Sequence, residues 1–274
     1  MKSLKSPLRY PGGKSRALAQ IREQVPPQFD AFREPFIGGG SVYLAIRSWF
    51  PDLGGGYWIN DFNPDVFHFW AAVRDELPRL IVAIWDYKAR FPEGRALYAH
   101  LRDESNMSSD FERAVRFFIM NRITFSGVMD AGGYSEQAFR TRFTDSSIGR
   151  LENLAGALAE THITNQDYES VVMAPAAPGE EVFIFLDPPY LSVTESKLYG
   201  NKGELHTGFE HGRFAEVMRA CPHQWLITYD DSPEVRALFD FPGVLLVEWS
   251  LQYGMNNYKQ ARAAVGRELF LRNY

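Results

Sequence analysis

The tetrad Asp187-Pro188-Pro189-Tyr190 closes the run Glu181-Val182-Phe183-Ile184-Phe185-Leu186. A continuous apolar stretch of this length suits a strand buried on both faces at the centre of a sheet. Two successive prolines cannot donate to a sheet ladder, so they turn the chain out at the strand's C-terminal edge. Asp187 then presents a carboxylate, the Pro188 carbonyl lies near it, and Tyr190 offers a ring face. Two acceptors beside a stacking surface fit an exocyclic amine on a planar base. Such a nitrogen is a poor nucleophile because its lone pair delocalises into the ring. Two acceptors draw it toward tetrahedral geometry and aim it for in-line attack on a sulfonium methyl. A purely structural Asp-Pro-Pro turn is the competing reading.

Two further groups carry chemistry at matching places. Glu34-Pro35-Phe36-Ile37-Gly38-Gly39-Gly40 leaves a strand-like segment and opens a helix-like one. Glycines there let backbone approach a ligand, and a helix start offers N–H groups to negative charge. The three glycines are consecutive, which departs from the dinucleotide spacing, so a pyrophosphate is not the obvious ligand. Asp61 ends the next strand, 21 residues after Gly40. An acid at that place accepts hydrogen bonds from ribose hydroxyls, or else caps a helix beside Asn60 and Asn63. Gly12-Gly13-Lys14-Ser15 imitates part of a phosphate-binding loop, but Leu8 stands where that loop needs its first glycine. Lys14 is then a point charge for a carboxylate or a DNA phosphate.

The elements that must position these groups alternate. Strand-like 29–36, a helix from 42, strand 56–60, strand 161–164, strand 181–186, helix 211–220, strand 224–229, helix 232–239 and strand 244–250 describe a doubly wound α/β sheet. Between 65 and 149 the character changes. Helical periodicity covers 65–84 and 110–121, with irregular polar stretches at 88–108 and 126–147, and a helix is expected over 147–159. The expected organisation is a discontinuous catalytic domain, 1–64 and 150–274, interrupted by a helical domain, 65–149.

Composition sets outer bounds. No apolar run reaches the roughly 20 residues that span a bilayer, and the one cysteine, Cys221, cannot form an internal disulfide. A cytoplasmic protein without a structural metal is expected. The net charge of −5 hides basic segments: residues 1–22 hold six Lys or Arg and no acid, and 113–150 hold six Arg against three acids. These can converge as a nucleic-acid face or remain ordinary solvated charge. Cytosine C5 chemistry needs a nucleophilic cysteine, and Cys221 lies far from the catalytic strand. Cytosine N4 shares the amine logic and stays open on the tetrad alone.

Taken together, these segments resemble the Dam-type, D12-class adenine-N6 DNA methyltransferases. The matching pieces are Leu8-Arg9-Tyr10-Pro11-Gly12-Gly13-Lys14, Glu34 to Ser41, Asn60-Asp61-Phe62-Asn63-Pro64-Asp65, Asn121-Arg122-Ile123-Thr124-Phe125-Ser126-Gly127, Asp187-Pro188-Pro189-Tyr190, and Gly266 to Tyr274, in the family's order and over nearly the whole chain. The resemblance implies a Rossmann-like methyltransferase sheet with an inserted helical target-recognition domain. It implies S-adenosyl-L-methionine as cofactor, S-adenosyl-L-homocysteine as product, no metal, double-stranded DNA as substrate, and a flipped target adenine. Neither a membrane nor an obligate protein partner is implied, and the oligomeric state stays open.

By that resemblance Tyr10 packs on the cofactor adenine, Lys14 lies near the cofactor, and Asp61 binds the ribose. Phe36, Gly38 and Gly40 belong to the same site. Asp187 helps bind the cofactor and orients the amine with Pro188, while Tyr190 stacks on the base. Asp167 either meets the cofactor adenine or caps a helix; Glu34 either steadies the loop or meets the cofactor amine. Arg122, Phe125, Ser126, Val128, Met129, Asp130, Arg140 and Arg142 are the DNA-recognition candidates. GATC-methylating members carry Arg where this chain has Asp130, so GATC is not the expected site. Either Asp130 accepts from a base, or it points away and Arg122, Arg140 or Arg142 reads the base instead. Val128 or Met129 either wedges into the duplex or packs in the core. Lys197, Tyr199 and Lys202 either touch phosphate or belong to a solvated loop. Cytosine-N4 DNA methylation, adenine-N6 RNA methylation and a noncatalytic DNA-binding relative are the alternatives.

Overall fold

A computed structural model describes residues 4–127, 132–191, 208–252 and 265–274. Seven strands form one sheet in the order β3-β2-β1-β4-β5-β7-β6. These are β1 Ala31–Glu34, β2 Gly56–Asn60, β3 Thr161–Thr164, β4 Val182–Leu186, β5 Gln224–Asp230, β6 Leu245–Gln252 and β7 Val265–Arg272. The first five run parallel; β7 is antiparallel to both β5 and β6. Every residue of β1 and of β4 is buried, as expected for neighbouring central strands covered on both faces. The strand order reverses between them. Loops leaving the C-terminal ends of β1 and β4 therefore open side by side, at the switch point where an α/β sheet binds its ligand.

The expected mixed α/β fold with a helical insertion is present. Between β2 and β3 lie α3 Pro64–Asp75, α4 Leu77–Arg90, α5 Gly94–Arg102, α6 Asp110–Ile123, α7 Glu136–Arg142 and α8 Asp145–Gly149; α1 Leu18–Gln24 and α2 Ser41–Trp49 precede them. Helix α6 starts on a Ser109 cap and buries ten successive residues, 114–123, so it is enclosed on all sides. Phe69 of α3 stacks on its Phe118 at 6.1 Å. The same apolar cluster contains Phe32 and Ile59 of the sheet, so the inserted helices share one continuous core with a sheet face. A second cluster on the opposite face joins β4, β5 and β7 to α9 Tyr168–Val172 and to the helix His211–Ala220.

Several expectations need correction. The periodic stretch 65–84 is two helices, because Pro78 sits in the first turn of α4 and starts a new helix after Glu76. The stretches expected to be irregular contain α5 and α7, each only a few turns long. The helix expected over 147–159 stops at Gly149; a 3-10 turn covers Arg150–Leu154, and Gly156 takes φ 74°. Finally, the sheet does not end with β6. The C-terminal β7 slots between β5 and β6, an antiparallel pairing made by residues distant in sequence.

Candidate active site

The glycine loop is bare for two different reasons. Gly38 has φ 44°, and a Cβ there would lie 2.7 Å from the Tyr10 ring; at Gly39 it would lie 2.8 Å from the Tyr10 Cβ. The two glycines thus let Tyr10 lie flat against the loop. Gly40, at φ 68°, caps α2, and a Cβ there would meet the Trp70 ring at 2.4 Å. Trp70 Nε1 donates to the Gly38 carbonyl at 3.0 Å. Gly38 and Gly39 line the cavity described below. The bareness of Gly40 serves Trp70 of the insertion.

Asp61 leaves β2 beside this loop. Its Oδ2 accepts the Gly38 N–H and its Oδ1 the Asn63 N–H, both at 2.9 Å. Burial pushes its carboxyl up to about 6, against the opposing pull of those two donors. Asn60 sets the spacing of the strand ends: its Nδ2 donates to the Pro35 and Gln166 carbonyls at 3.0 Å each. Phe62 follows, 59% exposed, and lines the cavity described below.

The turn after β4 is held by side chains from several segments. Lys14 is only 3% exposed, and its Nζ lies 2.7 Å from Asp187 Oδ1 and 2.8 Å from Oδ2. It also donates to the Gly12 carbonyl at 2.9 Å. Thr228 of β5 donates to Asp187 Oδ1 at 2.8 Å. A carboxylate offers roughly four acceptor positions, so these contacts leave room for one more donor. Tyr190 donates its hydroxyl to Glu268 Oε2 at 2.8 Å, stacks on Tyr229 at 6.0 Å, and has Lys14 Nζ 4.8 Å from its ring centre. Pro188, two residues earlier, is buried.

These groups surround one cavity of about 780 Å³, a size ordinary for a small-molecule site. Tyr10, Lys14, Glu34, Phe36, Gly38, Asp61, Asp167, Asp187, Pro188 and Tyr190 all line it, so the sequence-derived set converges apart from Gly40. Glu34 is buried with no partner for its Oε2, and burial together with the nearby Asp187 pushes its carboxyl well above the usual range. The ring of Phe36 sits 5.5 Å from that of Tyr168. Asp167 caps α9 through the Glu169 N–H at 3.0 Å, and Arg213 spans its two oxygens at 2.9 and 3.2 Å. Thr228 and Arg213 were not legible as site residues, because nothing in their own segments marks them; Glu268 lies in the matching segment Gly266 to Tyr274 but had no role read for it. Phe62 had a signal, its place directly after Asp61.

The insertion meets this site through the N-terminal segment. Asn121 at the end of α6 accepts the Arg9 N–H at 2.9 Å and donates to the Arg9 carbonyl at 2.7 Å and the Gly127 carbonyl at 3.1 Å. Arg122 beside it is 5% exposed, its Nε has no partner, and its guanidinium lies 5.3 Å from the Phe118 ring centre. Burial, reinforced by Arg150, Arg9 and Arg142, lowers it to about 10. Phe125, in the short turn Phe125–Gly127 that also holds Ser126, is 59% exposed. Arg140 pairs with Glu136 on the exposed side of α7 at 2.6 Å. Val128, Met129 and Asp130, like Lys197, Tyr199 and Lys202, lie outside the described residues.

Cys221 is absent from the cavity lining, and burial pushes its thiol up to about 11. Among the described residues no group of three or more His, Cys, Asp or Glu side chains is placed to hold a metal ion, and no helix is long and apolar enough to cross a membrane.

The sequence also matches known proteins. The model of the family described as D12 class N6 adenine-specific DNA methyltransferase matches residues 10–255. The chain is 26% identical over 216 residues to the type II methyltransferase M1.LlaDCHI of Lactococcus lactis subsp. cremoris, covering 74% of this chain and 71% of that protein. It is 22% identical over 280 residues to the type II methyltransferase M.CviBI of Paramecium bursaria Chlorella virus NC1A, covering 99% and 100%. A DNA adenine methylase of Vibrio cholerae is 29% identical over 258 residues, covering 87% and 86%.

Proposed function

The chain belongs to the D12 class N6 adenine-specific DNA methyltransferases, and on that premise we propose how its residues divide the work of methylating adenine N6 at specific sites in duplex DNA. The cofactor, S-adenosyl-L-methionine, supplies an electrophilic sulfonium methyl. The cavity fits it chemically: Glu34 Oε2 is a buried acceptor with no partner, suited to the cofactor's ammonium. Asp61 accepts the ribose hydroxyls in addition to its two backbone N–H groups. Tyr10, Phe36 and Phe62 supply apolar faces for the adenine. Asp167 acts mainly by capping α9 and holding Arg213 at the rim, which leaves the cofactor adenine a secondary partner for it.

Asp187 and the Pro188 carbonyl accept the two N–H bonds of the target amine, and the Tyr190 ring supports the base. The observation that carries this is the Asp187 carboxylate fixed by Lys14 and Thr228 beside Tyr190, at the switch point of the sheet. Fixing the acceptor before the substrate arrives removes a reorganisation cost from the reaction. No covalent protein intermediate is needed.

Residues 65–149 form the target-recognition domain in this reading, within the catalytic frame of 1–64 and 150–274. Arg122, Arg142 and Arg9 face a shared excess of positive charge that a DNA phosphate or a guanine edge neutralises. Exposed Phe125 is a stacking candidate at the duplex. Arg140, already paired with Glu136, is left with the backbone rather than the bases. A cytoplasmic location completes the picture, consistent with the unpaired Cys221.

The test is incubation of the purified protein with labelled S-adenosyl-L-methionine and mixed-sequence duplex DNA, followed by nucleoside analysis and mapping. N6-methyladenine at a defined sequence is expected. N4-methylcytosine, or methylation of RNA alone, would overturn the assignment.

A further inference from the structure

We propose that Glu268 is a positioning residue for the target base, locking the Tyr190 ring through its hydroxyl. This inference rests on the amine-methylation reading above and adds to it a residue from the C-terminal strand.

Glu268 is 1% exposed on β7, and its Oε2 accepts the Tyr190 hydroxyl at 2.8 Å. Its Cα partner across the antiparallel ladder is Asp230 of β5. Asp230 Oδ1 in turn accepts the backbone N–H of Leu191 at 3.1 Å. One facing pair of acids therefore holds two successive residues of the turn, the first by its side chain and the second by its backbone. Thr228 lies two residues before Asp230, hence on the same side of β5. It holds Asp187 Oδ1 at 2.8 Å. The carboxylate that meets the amine and the ring that meets the base are thus both referenced to the β5–β7 ladder.

The consequence is geometric. A base stacked on Tyr190 presents its amine correctly to Asp187 only if ring and carboxylate keep a fixed separation. A tyrosine side chain left to rotate would have to be ordered at the moment of binding, at an entropic cost. The Glu268 hydrogen bond, the Tyr229 ring at 6.0 Å and the Lys14 ammonium at 4.8 Å fix that ring in advance. An acid at this buried place has a hydroxyl partner to hold, which an apolar residue would leave without an acceptor.

The experiment is a double-mutant cycle on single-turnover methylation, using a duplex that carries the sequence the wild-type enzyme methylates. E268A and Y190F should each slow the reaction about 10- to 100-fold, and the double variant should be no slower than the worse single one. Cofactor affinity should stay within about twofold of wild type in all three. E268Q, which keeps an acceptor oxygen, should recover the rate to within a few-fold. Independent, multiplying losses in the cycle would overturn the proposal, as would a fall in cofactor affinity that tracks the fall in rate. If E268A does not fold, the cycle is run with E268Q and Y190F, and an E268Q loss that multiplies with that of Y190F counts against the proposal. A wild-type product other than N6-methyladenine would sink the adenine assignment instead, because the cycle reads whichever amine is methylated.

Discussion

Lys14 and Asp187 are 173 residues apart in the chain, and the ammonium of one lies 2.7 Å from the carboxylate of the other. The pair joins the N-terminal segment to the turn after the central strand. Neither partner gains much stability by it, since burying both charges offsets most of their attraction. What the pair secures is the orientation of the carboxylate.

That distinction is measurable. Asp187→Ala should lower single-turnover methylation by about 100-fold or more while the protein still unfolds cooperatively. Lys14→Met should destabilise the fold by about 3 kcal/mol, because Asp187 is left as an uncompensated charge. The double variant K14M/D187N should recover most of that stability in thermal melts and none of the activity. A double variant as unstable as K14M alone would show that Lys14 acts through packing.

Asp61 gives a pH dependence. Burial raises its carboxyl from 3.8 to about 6, so the folded chain holds the proton more tightly than the unfolded chain. The group's contribution to stability therefore declines as pH rises from about 4 to about 6. Cofactor binding should show the opposite slope, tightening over pH 5 to 7 as the ionised acceptor becomes available to the ribose. Titration calorimetry at several pH values is the check, with D61N expected to bind weakly and without that slope. Equal slopes in D61N and wild type would place the titrating group elsewhere.

Arg122 should trade stability for DNA binding. Its guanidinium is lowered to about 10, which means that folding disfavours its charged form at neutral pH, a cost on the order of 3 kcal/mol. R122M should melt at or above the wild-type temperature in the absence of DNA. It should also bind duplex DNA about tenfold more weakly, with the salt dependence reduced by about one counterion. Unchanged DNA affinity would remove Arg122 from the interface.

Gly40 tests how the insertion braces the glycine loop. G40A combines a left-handed φ with a Cβ 2.4 Å from Trp70, and should cost about 2 kcal/mol or more. Gly156, at φ 74° with nothing near its Cβ position, is the control. G156A should cost only about 1 kcal/mol, and similar losses at both sites would mean that the Trp70 contact is unimportant.

Most residues that gather round the cavity were legible from their own short segments. Asp187-Pro188-Pro189-Tyr190 after an apolar strand, a glycine turn after another, and Asp61 after a third are local patterns, and short-range rules are sufficient to read them. The alternation of strands and helices, and the helical interruption between β2 and β3, were legible for the same reason. Register and long-range contact were not legible in this way. The antiparallel placement of β7 is fixed by which strand accepts its backbone bonds, and no pattern within residues 265–272 states that choice. Thr228 and Glu268 reached Asp187 and Tyr190 only because the sheet order set β5 and β7 beside that turn, and Arg213 reached Asp167 from the helix His211–Ala220. Gly40 moved the other way. Its composition suggested approach to a ligand, whereas the nearest atoms belong to Trp70, 30 residues further along the chain. Chemistry was readable where it depends on residue type within a turn; its precision depends on neighbours that folding alone brings together.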